Sequence, residues 1–260
     1  MAAQAEVSTL ALTDHDTLGG VAEAQTAGDQ LGVRVIAGIE LSVRHRPGTF
    51  HLLGYFTEPA PNRLVARLDA LAEGRRQRAA AILAKLEALG KPLGFDDVAD
   101  RADGPIGRPH IADAMVDAGY VSSRLQAFER YLGNGGPAYV AIPGLEPAQA
   151  VALIASSGGA PVLAHPYSLG VGMKRMRSII QASRDAGMVG IEVHRPDHTP
   201  DQFHMLRKLA RQLGLLACGG SDFHRVGDDR ALGDTGTPPL PPVLPDQLLD
   251  HCQAPETSPR

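Results

Sequence analysis

Only two cysteines, Cys218 and Cys252, occur in the 260 residues, and they show no paired spacing. That argues against a disulfide scaffold or a thiolate metal site, and it suits a reducing compartment. No apolar run approaches the roughly 18 residues that a membrane span requires. The opening Met-Ala-Ala-Gln-Ala-Glu-Val lacks the basic and apolar regions of a signal peptide. A cytoplasmic location is therefore expected, with no membrane attachment. An excess of one charge is missing too: the net charge is −4, so nothing global points to nucleic acid or an anionic surface. The local clusters Arg75, Arg76, Arg78 and Lys174, Arg175, Arg177 fall in helical patterns and read as solvated faces. No internal repeat or low-complexity block stands out. The hydrophobic fraction, 43%, is ordinary, and the length suffices for one large α/β domain or a domain with an insertion.

Short apolar segments that end in polar groups are the main signal. Ser8–Leu12 is β-compatible and turns polar at Thr13-Asp14-His15-Asp16. Neighbouring side chains alternate faces on a strand, so one of the three, His15, is expected to point into a site. The competing reading is a helix cap, with Asp16 or Thr17 capping a helix from about residue 20 to 31. Val33–Glu40 reads as a second buried strand, and its terminal Glu40 is costly to bury unless something binds it. A third strand, Phe50–Phe56, carries His51 near its start, where a lone histidine is usually a satisfied core residue. Further on, strands Pro161–Ala164, Val189–Val193 and Leu215–Gly219 alternate with helices at Pro147–Ser157, Lys174–Ala186 and Pro200–Leu213. The first of these strands runs into His165. The last runs into Asp222 and His224, two apart and so on one face of an extended segment. In parallel α/β folds the carboxyl ends of strands lie together, and sites form there. Imidazole and carboxylate without thiolate suit Zn²⁺, Mn²⁺ or Fe²⁺ rather than Ca²⁺. Chance supplies one such strand end; it supplies five less readily.

Residues 61–139 follow another pattern. Asn62–Leu89 is long, Ala/Leu/Arg-rich and helical in period, and shorter helices are expected at Phe95–Arg101, Pro109–Ala118 and Ser123–Leu132. The expected organisation is a barrel domain from residues 1–60 and 140–240, a helical insertion subdomain at 61–139, and a proline-rich tail at 241–260 with a short helix at Asp246–Cys252. Within the insertion, Gly107-Arg108-Pro109-His110 is a tight turn into a helix. Arg108 and His110 at a helix start suit an anion; the alternative is a surface arginine and a capped helix.

Taken together, Thr13-Asp-His-Asp-Thr17, Gly38-Ile-Glu40, His51-Leu-Leu-Gly54, Ala164-His-Pro166 and Gly220-Ser-Asp-Phe-His224 resemble, in that order, the PHP (polymerase and histidinol phosphatase) superfamily of metal-dependent phosphoesterases. The similarity is greatest to its nucleoside 3′,5′-bisphosphate phosphatases and 5′→3′ exoribonucleases, and it covers the chain to about residue 240. The resemblance implies a distorted (β/α)7 barrel and up to three divalent metals. Glu40 would bridge two metals; His51 and His165 would complete one of these, the second, Asp222 would ligate the other, the first, and His15 and His224 would bind the third. Arg108 and His110 would hold a substrate phosphate. The implied function is hydrolysis of a phosphate ester of a small nucleotide or a short single-stranded RNA 5′ end. No stable protein partner is indicated. The alternative is a non-catalytic relative that binds a phosphorylated ligand. A metal hydrolase of C–N bonds is disfavoured, because no strand end offers a lysine ligand.

The sequence also departs from the family pattern. The His-x-His strand and Ser-Asp-Gly-like loop that open the family motif are not found, so six of nine expected ligands are present and the first barrel strand is expected to be absent. An in-frame extension of roughly 20–30 residues would supply such a unit. The form given is expected to aggregate readily, to bind about one tight metal and to hydrolyse poorly. At Asn134-Gly-Gly-Pro137, relatives often place a lysine that could meet phosphate.

Overall fold

A computed structural model describes residues 1–57, 62–102, 106–141, 144–225 and 230–252. The chain forms two units: Met1–Val65 with Leu145–Arg260, and Ala66–Gly144. The first unit is a mixed α/β layer on a curled six-stranded half-barrel sheet. Its strands are β1 (Thr9–Leu12), β2 (Arg34–Val43), β3 (Phe50–Phe56), β4 (Ala160–Leu163), β5 (Gly190–His194) and β6 (Leu216–Gly219), paired in sequence order. Helix α1 (Val21–Leu31) connects β1 to β2 and ends at Gly32, whose left-handed φ of +70° is the usual glycine stop.

Two pairings differ from the parallel sheet that βα alternation suggests. Strand β3 runs antiparallel to both β2 and β4. Its start therefore lies at the end of the sheet where β2 and β4 finish. That reversal brings His51, at the beginning of a strand, toward residues at the ends of others. Strand β2 also continues past Glu40 to Val43, because Leu41, Ser42 and Val43 pair with Leu52, His51 and Phe50. Glu40 thus lies within a strand rather than at its end.

Alternation along the strands sorts two faces. One face carries Ile36, Leu53, Tyr55, Val162 and Cys218, which pack together with Leu244 and Leu248 of a short helix, Leu244–Leu249. Glu40 is in phase with Ile36, and His51 with Leu53, so both belong to this face. Between β5 and β6 the register shifts between Glu192 and His194. Gly219 sits at this irregularity: a Cβ there would lie 2.1 Å from the His194 carbonyl oxygen.

The flanking helices follow from sequence. Helix α6 (Pro147–Ser156) and the Met173–Asp185 helix, α7, join successive strands. Pro200–Leu213, α8, starts on a capping box in which Thr199 accepts from the Gln202 amide and the Gln202 side chain accepts from the Thr199 amide. Its apolar stripe, Phe203, Leu206, Leu209, Ala210 and Leu213, is buried.

The second unit is helical. Within it lie most of α2 (Asn62–Ala88), α3 (Phe95–Ala99), α4 (Arg108–Asp117) and α5 (Arg124–Ala127), the last continuing into a π-helical turn, Phe128–Leu132. Ala79, Ile82, Leu83 and Leu86 recur at helical spacing on α2 and pack with Ile111, Met115 and Leu132. Among the described residues, no helix is long and apolar enough to cross a membrane.

Candidate metal centre

The cap reading of Asp14–Asp16 does not hold. Helix α1 starts from Gly20 with no side-chain cap. Asp16 is instead buried, at φ +54°, and its carboxylate accepts from the Ser42 amide at 2.9 Å. Thr17 Oγ1 accepts from the Gly19 amide. The segment runs beside β2: the Asp16 amide donates to the Glu40 carbonyl, and the Glu40 amide to the Asp14 carbonyl. His15 is thereby bridged to Glu40.

Glu40 is the centre of the arrangement. Its Oε1 lies 2.8 Å from His51 Nδ1 and 3.0 Å from His165 Nε2. Those two ring nitrogens are 3.2 Å apart. On the other side, Oε2 is 3.7 Å from His15 Nδ1, which is buried and has no hydrogen-bond partner among the described residues. One ligand atom each from His15, Glu40 and His51 lie within 4.8 Å of one another. Burial pushes the Glu40 pKa up, but hydrogen bonds to His165 and His51 and the charge of His15 outweigh it and hold the carboxyl well below its usual range. Burial lowers the pKa of His15 despite the nearby Glu40. At His165 burial also acts downward, and the Glu40 carboxylate overrides it and raises the pKa.

The tautomer of His165 makes the cluster informative. Its Nδ1 lies 2.7 Å from Ser168 Oγ, which itself donates to the Thr49 carbonyl at 3.1 Å. Ser168 has given its proton away, so Nδ1 carries the hydrogen and Nε2 presents a lone pair in the neutral ring. That lone pair faces a carboxylate oxygen and the Nδ1 of His51. With Nε2 of a neutral His165 unprotonated and Glu40 ionised, a cation has to lie between them, either a proton carried by one of the two imidazoles or a metal. The separations of 2.8, 3.0 and 3.2 Å match the roughly 2.8–3.4 Å ligand–ligand edges that follow from metal bonds of about 2.0–2.1 Å. The donor set, imidazole and carboxylate, fits a divalent transition metal.

Asp222 and His224 are placed differently. Asp222 has φ +53° and its Oδ2 is held by two guanidiniums, Arg195 Nη2 at 3.2 Å and Arg230 Nη1. Its Oδ1 is 3.7 Å from His224 Nδ1. The His224 ring lies 6.0 Å from that of His15, and its Nδ1 donates to the Asp222 carbonyl. The structure therefore gathers His15, Glu40, His51 and His165 tightly, and sets Asp222 and His224 beside them as a looser pair. His45, by contrast, is engaged with the Leu169 carbonyl.

Two residues central to this region escaped the sequence reading. Glu192, in the middle of β5, is buried, as is Arg195, and they pair at 2.9 Å. The signal was present: Val-Gly-Ile-Glu-Val is a buried strand carrying a carboxylate, the same anomaly that singled out Glu40. A cavity of about 310 Å³ opens beside His165 and Asp222, lined also by Tyr167, Arg195, His198 and Arg230.

In the second unit, Arg108 and His110 open α4. His110 Nδ1 accepts from the Gly107 amide at 3.1 Å, closing the helix start. Arg108 donates to the Leu132 carbonyl at 3.0 Å, and its guanidinium lies over the Phe128 and Tyr139 rings.

No family profile matches the chain. A 3′,5′-nucleoside bisphosphate phosphatase of Chromobacterium violaceum is 38% identical over 237 residues, covering 90% of the chain and 82% of that protein. A 5′-3′ exoribonuclease of Haemophilus influenzae is 35% identical over 218 residues, covering 84% of the chain and 80% of that protein. A solved structure from Bifidobacterium adolescentis, described as a metal-dependent phosphoesterase, superposes with a TM-score of 0.81 at 26% identity, covering 97% of the chain and 89% of its own length.

Proposed function

The chain belongs to the PHP superfamily of metal-dependent phosphoesterases, and on that premise we propose that it hydrolyses a phosphate ester of a small nucleotide, of the nucleoside 3′,5′-bisphosphate type, or of a short RNA 5′ end. The substrate class follows from the relatives, one of them a bisphosphate phosphatase and another an exoribonuclease. The observation that carries the reading is the convergence of Glu40 Oε1, His51 Nδ1 and His165 Nε2 within 3.2 Å.

His15, Glu40, His51, His165, Asp222 and His224 would hold the metals, with Mn²⁺, Zn²⁺ or Fe²⁺ the ions suited to this donor set. A bound divalent ion supplies Lewis acidity toward a phosphoryl oxygen and a water acidic enough to deprotonate near neutral pH. The chain's own groups prepare that chemistry. Glu40 stays ionised because its imidazole neighbours depress its pKa. Ser168 fixes the His165 tautomer with Nε2 available as a ligand atom. Arg108 and His110 are assigned to a substrate phosphate. A guanidinium is the side chain best matched to phosphate, and its partners so far are a carbonyl and two rings.

Product release by the purified full chain tests this: inorganic phosphate from adenosine 3′,5′-bisphosphate, and mononucleotides from a 5′-phosphorylated short RNA. Release should depend on added Mn²⁺ and stop with EDTA. Arg108→Ala should raise KM for the bisphosphate about tenfold or more while largely sparing kcat, the mark of lost ground-state binding. No release from either substrate by protein shown to hold metal would overturn the substrate assignment.

A further inference from the structure

Outside the Glu40 cluster, the most unusual chemistry is a buried ionic hub at the ends of β4, β5 and β6. Glu192 Oε2 accepts twice, from the His165 amide at 2.6 Å and from Arg195 Nη1 at 2.9 Å. Arg195 then turns its remaining donors outward. Its Nε and Nη2 grip Asp197 at 2.9 and 3.0 Å, and Nη2 also reaches Asp222 Oδ2 at 3.2 Å. Arg230 braces the same two aspartates from the other side. The Arg195 side chain is 1% exposed and the Glu192 side chain 6%.

Two residues this hub touches have unusual backbones. His165 has φ +28° and Asp222 has φ +53°, conformations that side-chain-bearing residues rarely adopt. The hub fastens His165 through its amide, and Asp222 through the carboxylate oxygen Oδ2 and, from Arg230 Nη1 at 3.2 Å, through its main-chain carbonyl. With Oδ2 occupied by guanidinium, Asp222 is left with Oδ1 directed to the His224 side, 3.7 Å from His224 Nδ1. A buried ion pair is weak evidence for stability as such, since well-packed apolar residues serve as well. Its geometry here has a more specific consequence.

We infer that Glu192 and Arg195 are positioning residues that fix His165 and Asp222 in the orientations in which they act as metal ligands. The inference rests on the metal-centre reading above. Only a guanidinium can perform the task, because one planar fork must reach three carboxylates at once; a lysine ammonium is a point donor on a flexible stem.

Electrostatics alone predicts something different. Arg195 is a cation near a cation site. If it acted merely through charge, removing it would tighten metal binding, and exchanging it for lysine would change nothing. Positioning predicts weaker binding in both cases.

The test is Mn²⁺ titration of the metal-stripped full chain, followed by isothermal calorimetry, for the parent, Arg195→Lys and Arg195→Met. Folding is checked by circular dichroism at the titration temperature. Arg195→Lys should bind Mn²⁺ about 10–100-fold more weakly than the parent, the range seen when groups that orient metal ligands are lost. Arg195→Met should be weaker still. In turnover, kcat should fall with KM nearly constant, since the substrate-binding groups are untouched. Parent-like affinity in a folded Arg195→Lys, or tighter binding in Arg195→Met, would overturn the positioning role while leaving the metal centre intact. A parent chain that takes up no Mn²⁺ would instead overturn the metal-centre reading and this inference with it. Should Arg195→Met fail to fold, the lysine variant decides.

Discussion

Two buried arginines, one in each unit, are handled in opposite ways. Arg195, in the α/β unit, meets the carboxylates of Glu192, Asp197 and Asp222. Burial opposes its charge, but the hydrogen bond to Asp197 and the three negative charges outweigh that and raise its pKa. Arg78, in the helical unit, is 7% exposed and donates through Nε to the Val140 carbonyl at 2.8 Å. Among the described residues no carboxylate pairs with it. Burial, helped by the positive charge of Arg108, pushes its pKa down to about 10. Acidic side chains thus gather in the α/β unit where strand ends converge, and their burial there requires cations, whether guanidinium, imidazolium or metal. In the helical unit an apolar stripe on α2 packs against α4, and a single carbonyl serves the buried guanidinium.

The contrast is sharpest at Glu40. Glu40→Gln keeps the shape and removes the charge that three imidazoles surround. Phosphate release should fall by more than about 100-fold and bound Mn²⁺ should drop with it, because a ligand is lost rather than a group that orients one. Arg78→Met should leave metal content unchanged. Elemental analysis and steady-state assays of both variants would break the comparison if they moved together.

Stability gives the next largest difference. Arg195→Met strands several carboxylates and should cost about 3–5 kcal/mol, the usual consequence of removing one member of a buried ionic cluster. Arg78→Met forfeits one hydrogen bond while relieving an unpaired buried charge, and should cost less than about 1 kcal/mol. Urea denaturation of the metal-free proteins measures both. Equal losses would show that the two arginines are not differently partnered.

How much of this was legible from the sequence depended on the kind of signal. Local pattern placed a helix at about residues 20 to 31, observed as Val21–Leu31, and α8 at Pro200–Leu213. For these, local propensity was enough. Glu40 stood out because a carboxylate in an apolar strand demands a partner. Glu192 carries the same anomaly and was passed over, since no histidine motif drew attention to it. What no local pattern could supply was strand direction. The antiparallel course of β3 is set by its pairing with β2 and β4, and it explains why His51, at the start of β3, meets Glu40, near the end of the preceding strand. Likewise, Asp16 looked like a helix cap because its neighbours did; its true partner, the Ser42 amide, is 26 residues away.

Acid sensitivity offers the smallest and most specific effect. The hydrogen bond and charge of Arg195 hold the Asp197 carboxyl below its usual range, against a smaller opposing effect of burial. A carboxyl with a depressed folded-state pKa contributes stability that is present above its unfolded value near 3.9 and is lost as pH falls through the folded value. Thermal melts of the metal-free parent between about pH 5 and pH 3 should therefore decline more steeply than those of Asp197→Asn. Parallel curves would mean that Asp197 draws no net stabilisation from the hub.

The most direct test of the metal centre is anomalous scattering at the manganese edge, from crystals of the full chain grown with Mn²⁺. Bonds from Glu40, His51 and His165 to one anomalous peak are the expected result. Manganese bound in solution, with no peak among these three side chains, would contradict the account.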